Sequence, residues 1–156
     1  VLFAYFNKWR YKHPNPTDFI RVAEDVSGLQ LDWYRTFFVN TSKTIDYGID
    51  SLWEEKGKTK IRLKNTGTMP MPLDIDLYFK DGSREQAYIP QYLMFGEKKN
   101  EEPSVKRTVS EPWKWTHPYF TFEIDRKLTD LKSIEIDPLQ RTADMERKNN
   151  KLELNW

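Results

Sequence analysis

The chain has 156 residues, 38% hydrophobic and 15% aromatic, and its 25 basic against 24 acidic side chains leave a formal net charge of +1. That supports one domain plus a smaller annex, and the near-neutral balance gives no whole-molecule pull toward nucleic acid or anionic membrane. With no cysteine, disulfides, thiolate nucleophiles and cysteine-based zinc sites are excluded, and no run of about 18 apolar residues is present to span a bilayer.

In VLFAYFNKWRYK, Leu2, Phe6 and Trp9 recur at helical spacing beside Phe3 and Tyr5, which predicts a helix. It has neither an N-cap residue nor a polar lead-in. Such an opening reads as a cut from a larger protein. HPNP then breaks the helix. Thr17 is the expected N-cap of DFIRVAEDVSG, with Asp18 in its first turn and Gly28 as its stop. Phe19, Val22, Ala23 and Val26 form the predicted apolar face. A third helix is predicted from Asp32 to Val39, carrying Trp33, Tyr34, Phe37 and Phe38.

From Thr44 the period changes to two. Ile45, Tyr47 and Ile49 alternate with polar residues, and so do Thr59, Ile61 and Leu63. Leu73, Ile75, Leu77 and Phe79 alternate with Asp74, Asp76, Tyr78 and Lys80. NTGT and KDGS are turn signals, and Pro70 and Pro72 restrict their segment to a strand entry or an edge. Further strands are predicted at 86–89, 105–109, 120–124 and 134–136, with 96–104 as a charged loop. About seven short strands point to a mainly β fold: an immunoglobulin-like β-sandwich preceded by about three helices. The expected domains are a helical segment at 1–43, a sandwich at 44–140 and a tail at 141–156.

Catalytic grammar is sparse. The two histidines, His13 and His117, each precede proline and read as loop residues; neither forms an H-E-x-x-H pair. No G-x-S-x-G elbow, P-loop or G-x-G-x-x-G cradle is present. Asp125 and Asp137 fall at predicted strand ends, where they read as terminators. Two segments could bind. Lys58, Lys60, Arg62 and Lys64 share one strand face, either as a phosphate track or as a solvated face beside Asp46 and Asp50 or Asp74 and Asp76. In EPWKWTHPYF, Trp113, Trp115 and Tyr119 could form a sugar-stacking platform or cover a sandwich end. Asn40-Thr41-Ser42 matches an N-glycosylation sequon.

The segment FAYFNKWRYKHPNPTDFIRVAEDVSGLQLDWYRTFFVNTSKTIDYGI, followed by RLKNTGTMPMPLDIDLYFKDG and IEIDPLQRTADMERKNN, resembles a region of the aminopeptidase N family of zinc metallopeptidases (gluzincins). The resemblance covers nearly the whole chain and lies in the order of its motifs. It implies the last helices of a catalytic domain followed by a β-sandwich domain. The family's H-E-x-x-H ligands, third ligand Glu, G-x-M-x-N loop and catalytic Tyr lie upstream of the matching region, so the resemblance places no catalytic or metal residue here. It implies no cofactor in this chain, zinc in the parent protein, and a scaffolding role against the upstream catalytic domain. The alternative is an independent module binding glycan or protein through Trp113, Trp115 and Tyr119. An uncovered first helix could also associate with a second copy. No nucleic-acid partner and no membrane span are expected, and the compartment is left open by the sequence.

Overall fold

A computed structural model describes residues 1–155. They group into two compact units, one from Val1–Ser42 with Leu93–Lys99, the other from Lys43–Tyr92 and from Asn100 onward.

In the helical unit, α1 spans Leu2–Trp9 and buries none of its residues. The second helix, α2, spans Pro16–Ser27, and its N-cap is Asn15 rather than Thr17. Asn15 Oδ1 accepts the Asp18 N–H at 3.1 Å, and Asp18 Oδ2 accepts the Asn15 N–H at 2.9 Å, a reciprocal capping box. Pro16 therefore starts the helix instead of merely breaking its predecessor, because the first helical N–H needs no partner. Thr17 Oγ1 instead accepts Arg35 Nη1–H at 2.9 Å. Gly28 closes α2 at φ 71°, and its N–H reaches Glu24 O. The buried face is Ile20, Val22 and Ala23, with Val26 exposed, so the face is rotated from the one predicted. A short α3, Asp32–Tyr34, widens into a π-helical turn over Arg35–Val39. Trp33 is buried there and donates Nε1–H to Gln30 O at 2.8 Å.

The second unit holds eight strands: β1 Tyr47–Glu55, β2 Lys58–Asn65, β3 Leu73–Phe79, β4 Arg84–Ile89, β5 Lys106–Val109, β6 Tyr119–Ile124, β7 Leu131–Ile136 and β8 Lys151–Glu153. They form two open sheets, β1-β2-β6 and β5-β4-β3-β7-β8, consistent with a β-sandwich. β5 pairs with β4 in parallel; every other pairing between strands is antiparallel. The β1–β2 turn puts Lys56 and Gly57 at φ 53° and 78°, the double positive φ of a tight hairpin.

The core follows the alternation. Ile61 and Leu63 of β2, Ile75 and Leu77 of β3, and Leu131 and Ile134 of β7 are fully enclosed. Each such aliphatic side chain contributes about 1.5–3 kcal/mol relative to exposure. Asp76 breaks the simple rule. It lies on the opposite side of β3 from Ile75 and Leu77, yet is only 1% exposed. Its carboxylate accepts Tyr78 Oη–H at 3.2 Å, Arg84 Nη1–H at 3.0 Å and Gln86 Nε2–H at 3.2 Å. That set of donors satisfies the burial.

The 96–104 stretch, expected as a charged loop, is held at its second half: Glu102 pairs with Arg84, and Glu101 with Arg141. The polar C-terminal region contributes β8, whose Leu152 pairs with Ile134.

Tyr47 carries a pH prediction. Its hydroxyl oxygen accepts the Met71 N–H at 3.0 Å and the Asn65 Nδ2–H at 3.3 Å. Burial pushes the phenol up to about 12, and the Met71 hydrogen bond opposes this only partly. The folded value lies above the unfolded value of about 10. The neutral phenol therefore contributes stability below about pH 10, and that contribution, at most about 2–3 kcal/mol, is lost as pH rises toward 12. Tyr47→Phe should flatten this alkaline limb in urea titrations from pH 9 to 12. A limb equally steep in the variant would assign it elsewhere.

Candidate functional site

The segment 113–119 separates its aromatic residues by environment. Trp113 is 3% exposed, whereas Trp115 and Tyr119 are 41% and 53% exposed. The Trp113 ring stacks on Phe120 at 5.3 Å and meets Tyr47 edge-on at 5.3 Å. Its Nε1–H donates to His117 O at 2.8 Å. Trp113 thus closes the core and offers no face to a ligand. The solvent-facing aromatics are Trp115 and Tyr119. Arg62 lies over the Tyr119 ring at 5.3 Å. Trp115 lines a cleft of about 270 Å³ with Asn65, Thr68 and Thr116. Gly67 shapes that cleft, since a Cβ there would stand 2.5 Å from Asp46 N and 2.7 Å from Thr44 O.

The basic stripe lies on the opposite side of β2 from the enclosed Ile61 and Leu63. Arg62 pairs with Asp50 at 2.6 Å, Lys60 with Glu55 at 2.9 Å and Lys58 with Glu123 at 3.0 Å. Asp50 was named as a neighbour by the alternation. Glu55 and Glu123 were not, because they arrive across the β1–β2 hairpin and from β6. Asp74 and Asp76 lie in the other sheet. The Arg62 hydrogen bond holds the Asp50 carboxyl below its usual range, and Lys58 does the same for Glu123. Arg62→Ala should change stability by no more than about 1 kcal/mol, because the pair is exposed. Submicromolar, salt-sensitive heparin or DNA binding that Arg62→Ala abolishes would show that the stripe reads a polyanion instead.

His13 and His117 are both exposed. Among the described residues no three His, Cys, Asp or Glu side chains come together as a metal would require. Asp125, exposed, follows the end of β6. Asp137 is buried just past β7 at φ 49°. It accepts the N–H groups of Arg141 and Thr142 at 2.9 and 2.8 Å, so its role is to fold the chain back.

The described residues contain no helix long and apolar enough to cross a membrane. Comparisons with models of known families, with curated proteins and with solved structures found no match.

An apolar exposed surface lies on α1. Leu2, Phe3 and Phe6 are 75%, 80% and 60% exposed. Leu2 and Phe6 share one side at i,i+4 spacing, with Phe3 beside them. No acidic residue lies in the first turn and no side chain caps it. Periodicity marked the helix and its apolar side, and the structure leaves that side open, as the reading of an uncovered first helix expected.

Proposed function

We propose that this chain is a non-catalytic scaffold that packs against an adjoining catalytic domain, as the matching region of a zinc aminopeptidase would. The observation that carries the reading is α1. Two phenylalanines and a leucine on one turn and a half of helix are a cost in water and an asset at an interface. The described side chains offer no ligand set for zinc, so in this reading the metal and the general base belong to the adjoining domain. Here the β-sheet unit braces and the helical unit docks.

The test uses the full reading frame that contains this chain. It should hydrolyse an aminoacyl chromophore in a zinc-dependent way, while residues 1–156 alone should not. Phe3→Glu with Phe6→Glu should lower the thermal midpoint of the full-length protein and reduce its activity together. A reading frame without peptidase activity, or a double variant with unchanged midpoint, would sink the proposal. A second reading, glycan binding, is favoured by the exposure of Trp115 beside the Thr68 and Thr116 cleft. A glycan array answered by the wild-type chain and lost in Trp115→Ala would support it; no signal would remove it.

A further inference from the structure

The open side of α1 ends in a cation. The Arg10 N–H donates to Phe6 O at 2.9 Å, so Arg10 stands one turn beyond Phe6 on the same side. Phe3, Phe6 and Arg10, at i, i+3 and i+7, form one row with Leu2 beside it, and all four are exposed. The opposite side of the helix is already engaged. Tyr5 meets Phe19 edge-on at 5.1 Å, and Lys8 pairs with Asp25 at 3.3 Å.

Residues 1–17 carry Lys8, Arg10 and Lys12 and no acidic side chain. Lys8 is turned to Asp25, and Lys12 lies over the Trp9 ring at 5.8 Å. Among the described residues Arg10 makes no ion pair. One unanswered guanidinium at the end of an apolar row is the pattern of this surface.

We propose, resting on the docking role of α1, that the adjoining domain receives this helix in a groove with an apolar floor and a carboxylate at one end. The floor takes Leu2, Phe3 and Phe6, which serve as anchors one helical turn apart. The carboxylate lies about 5.4 Å, one helical pitch, past the Phe6 pocket. There it accepts two parallel N–H bonds from the Arg10 guanidinium. Apolar contact supplies affinity, and the Arg10 pair fixes the direction of the helix, because reversal sets the guanidinium on the apolar floor.

Charge decides among the other occupants. A two-fold pairing of two copies uses the same patch twice, and this patch gives Arg10 no carboxylate to meet. A helix lying on an anionic lipid surface needs a polar face rich in lysine and arginine. Here the rear cation is held by Asp25 within the same unit. A single free guanidinium suits one carboxylate and not a sheet of phosphates.

The probe is the full reading frame carrying the photo-cross-linker p-benzoylphenylalanine in place of Phe6. Irradiation should join it to an apolar segment outside residues 1–156 that bears an aspartate or glutamate. Arg10→Glu should lower the full-length thermal midpoint by about 2 °C or more. Arg10→Lys keeps the charge, loses the fork and should cost less. In residues 1–156 alone Arg10→Glu should leave the midpoint unchanged, since no ion pair is lost there. Reversing the cross-linked segment's carboxylate to arginine in the Arg10→Glu background should restore most of the loss. An unchanged full-length midpoint in Arg10→Glu, or no rescue by the reversal, would overturn the acidic groove. So would a cross-link within residues 1–156, in the same or a second copy. Binding of residues 1–156 to phosphatidylserine vesicles that Arg10→Glu abolishes would give the face to a membrane instead. The docking role fails separately, when Phe3→Glu with Phe6→Glu leaves the full-length midpoint unchanged, whatever Arg10 does.

Discussion

Trp113→Ala should lower the free energy of unfolding by about 3–5 kcal/mol. The ring is enclosed between Phe120 and Tyr47, and its truncation leaves a cavity that the flanking strands cannot fill without moving. It also leaves His117 O without the indole N–H that now reaches it. The backbone at this residue ties two segments together: its N–H donates to Pro90 O at 2.7 Å, and its carbonyl accepts the Tyr92 N–H at 3.1 Å. Urea denaturation of the purified chain measures the effect. Trp113→Phe keeps the stacking and loses the indole hydrogen bond, and should cost clearly less. Trp115→Ala, two residues away, should stay within about 0.5 kcal/mol because its ring is open to solvent. If both alanine variants cost the same, Trp113 is not the closing residue of this core.

The second large effect concerns α1. Its amides should exchange at least about a thousandfold faster than those of Ile75 to Phe79 in a dilute monomer. An isolated helix of eight residues is far below the length at which helices persist in water. Its support is slight: a Tyr5–Phe19 edge contact at 5.1 Å, and a Lys8–Asp25 pair at 3.3 Å that is exposed on both sides. The β3 amides lie in a strand paired on both sides, within a sheet whose core residues are fully enclosed. Hydrogen exchange followed by mass spectrometry separates the two. Equal protection would mean that α1 is complete without a partner, and the docking role proposed for it would lose its main support.

Much of the fold was legible because its signals are local. The strict alternation of Leu73 to Lys80 marks β3 to within one residue at its end, since a period of two puts every second side chain on one face. The Pro70 and Pro72 restriction places the strand's start at Leu73. Helical spacing marked α1 and α2, and Gly28 marked the stop of α2. Where the reading slipped, two local rules competed. HPNP holds both a breaker and a starter, and the capping box of Asn15 and Asp18 decided for the starter. The predicted first strand stopped near Ile49. β1 runs on to Glu55 through a register shift between Ile49 and Ser51, and such a bulge erases the alternation a strand is recognised by.

By itself, then, the sequence determined the helix-then-strand order, the two sides of each regular strand and most of the core, because these follow from side-chain spacing along one segment. Which faces stay covered was decided by the tertiary structure. Trp113 and Trp115 stand two apart in one aromatic phrase, and only Tyr47 and Phe120, brought from other strands, bury the first and not the second. β5 joins β4 in parallel and Lys151–Glu153 joins β7, pairings that no local period encodes. The open side of α1 is likewise a property of what lies opposite. Burial is a relation between segments distant in the chain, whereas periodicity describes each segment alone.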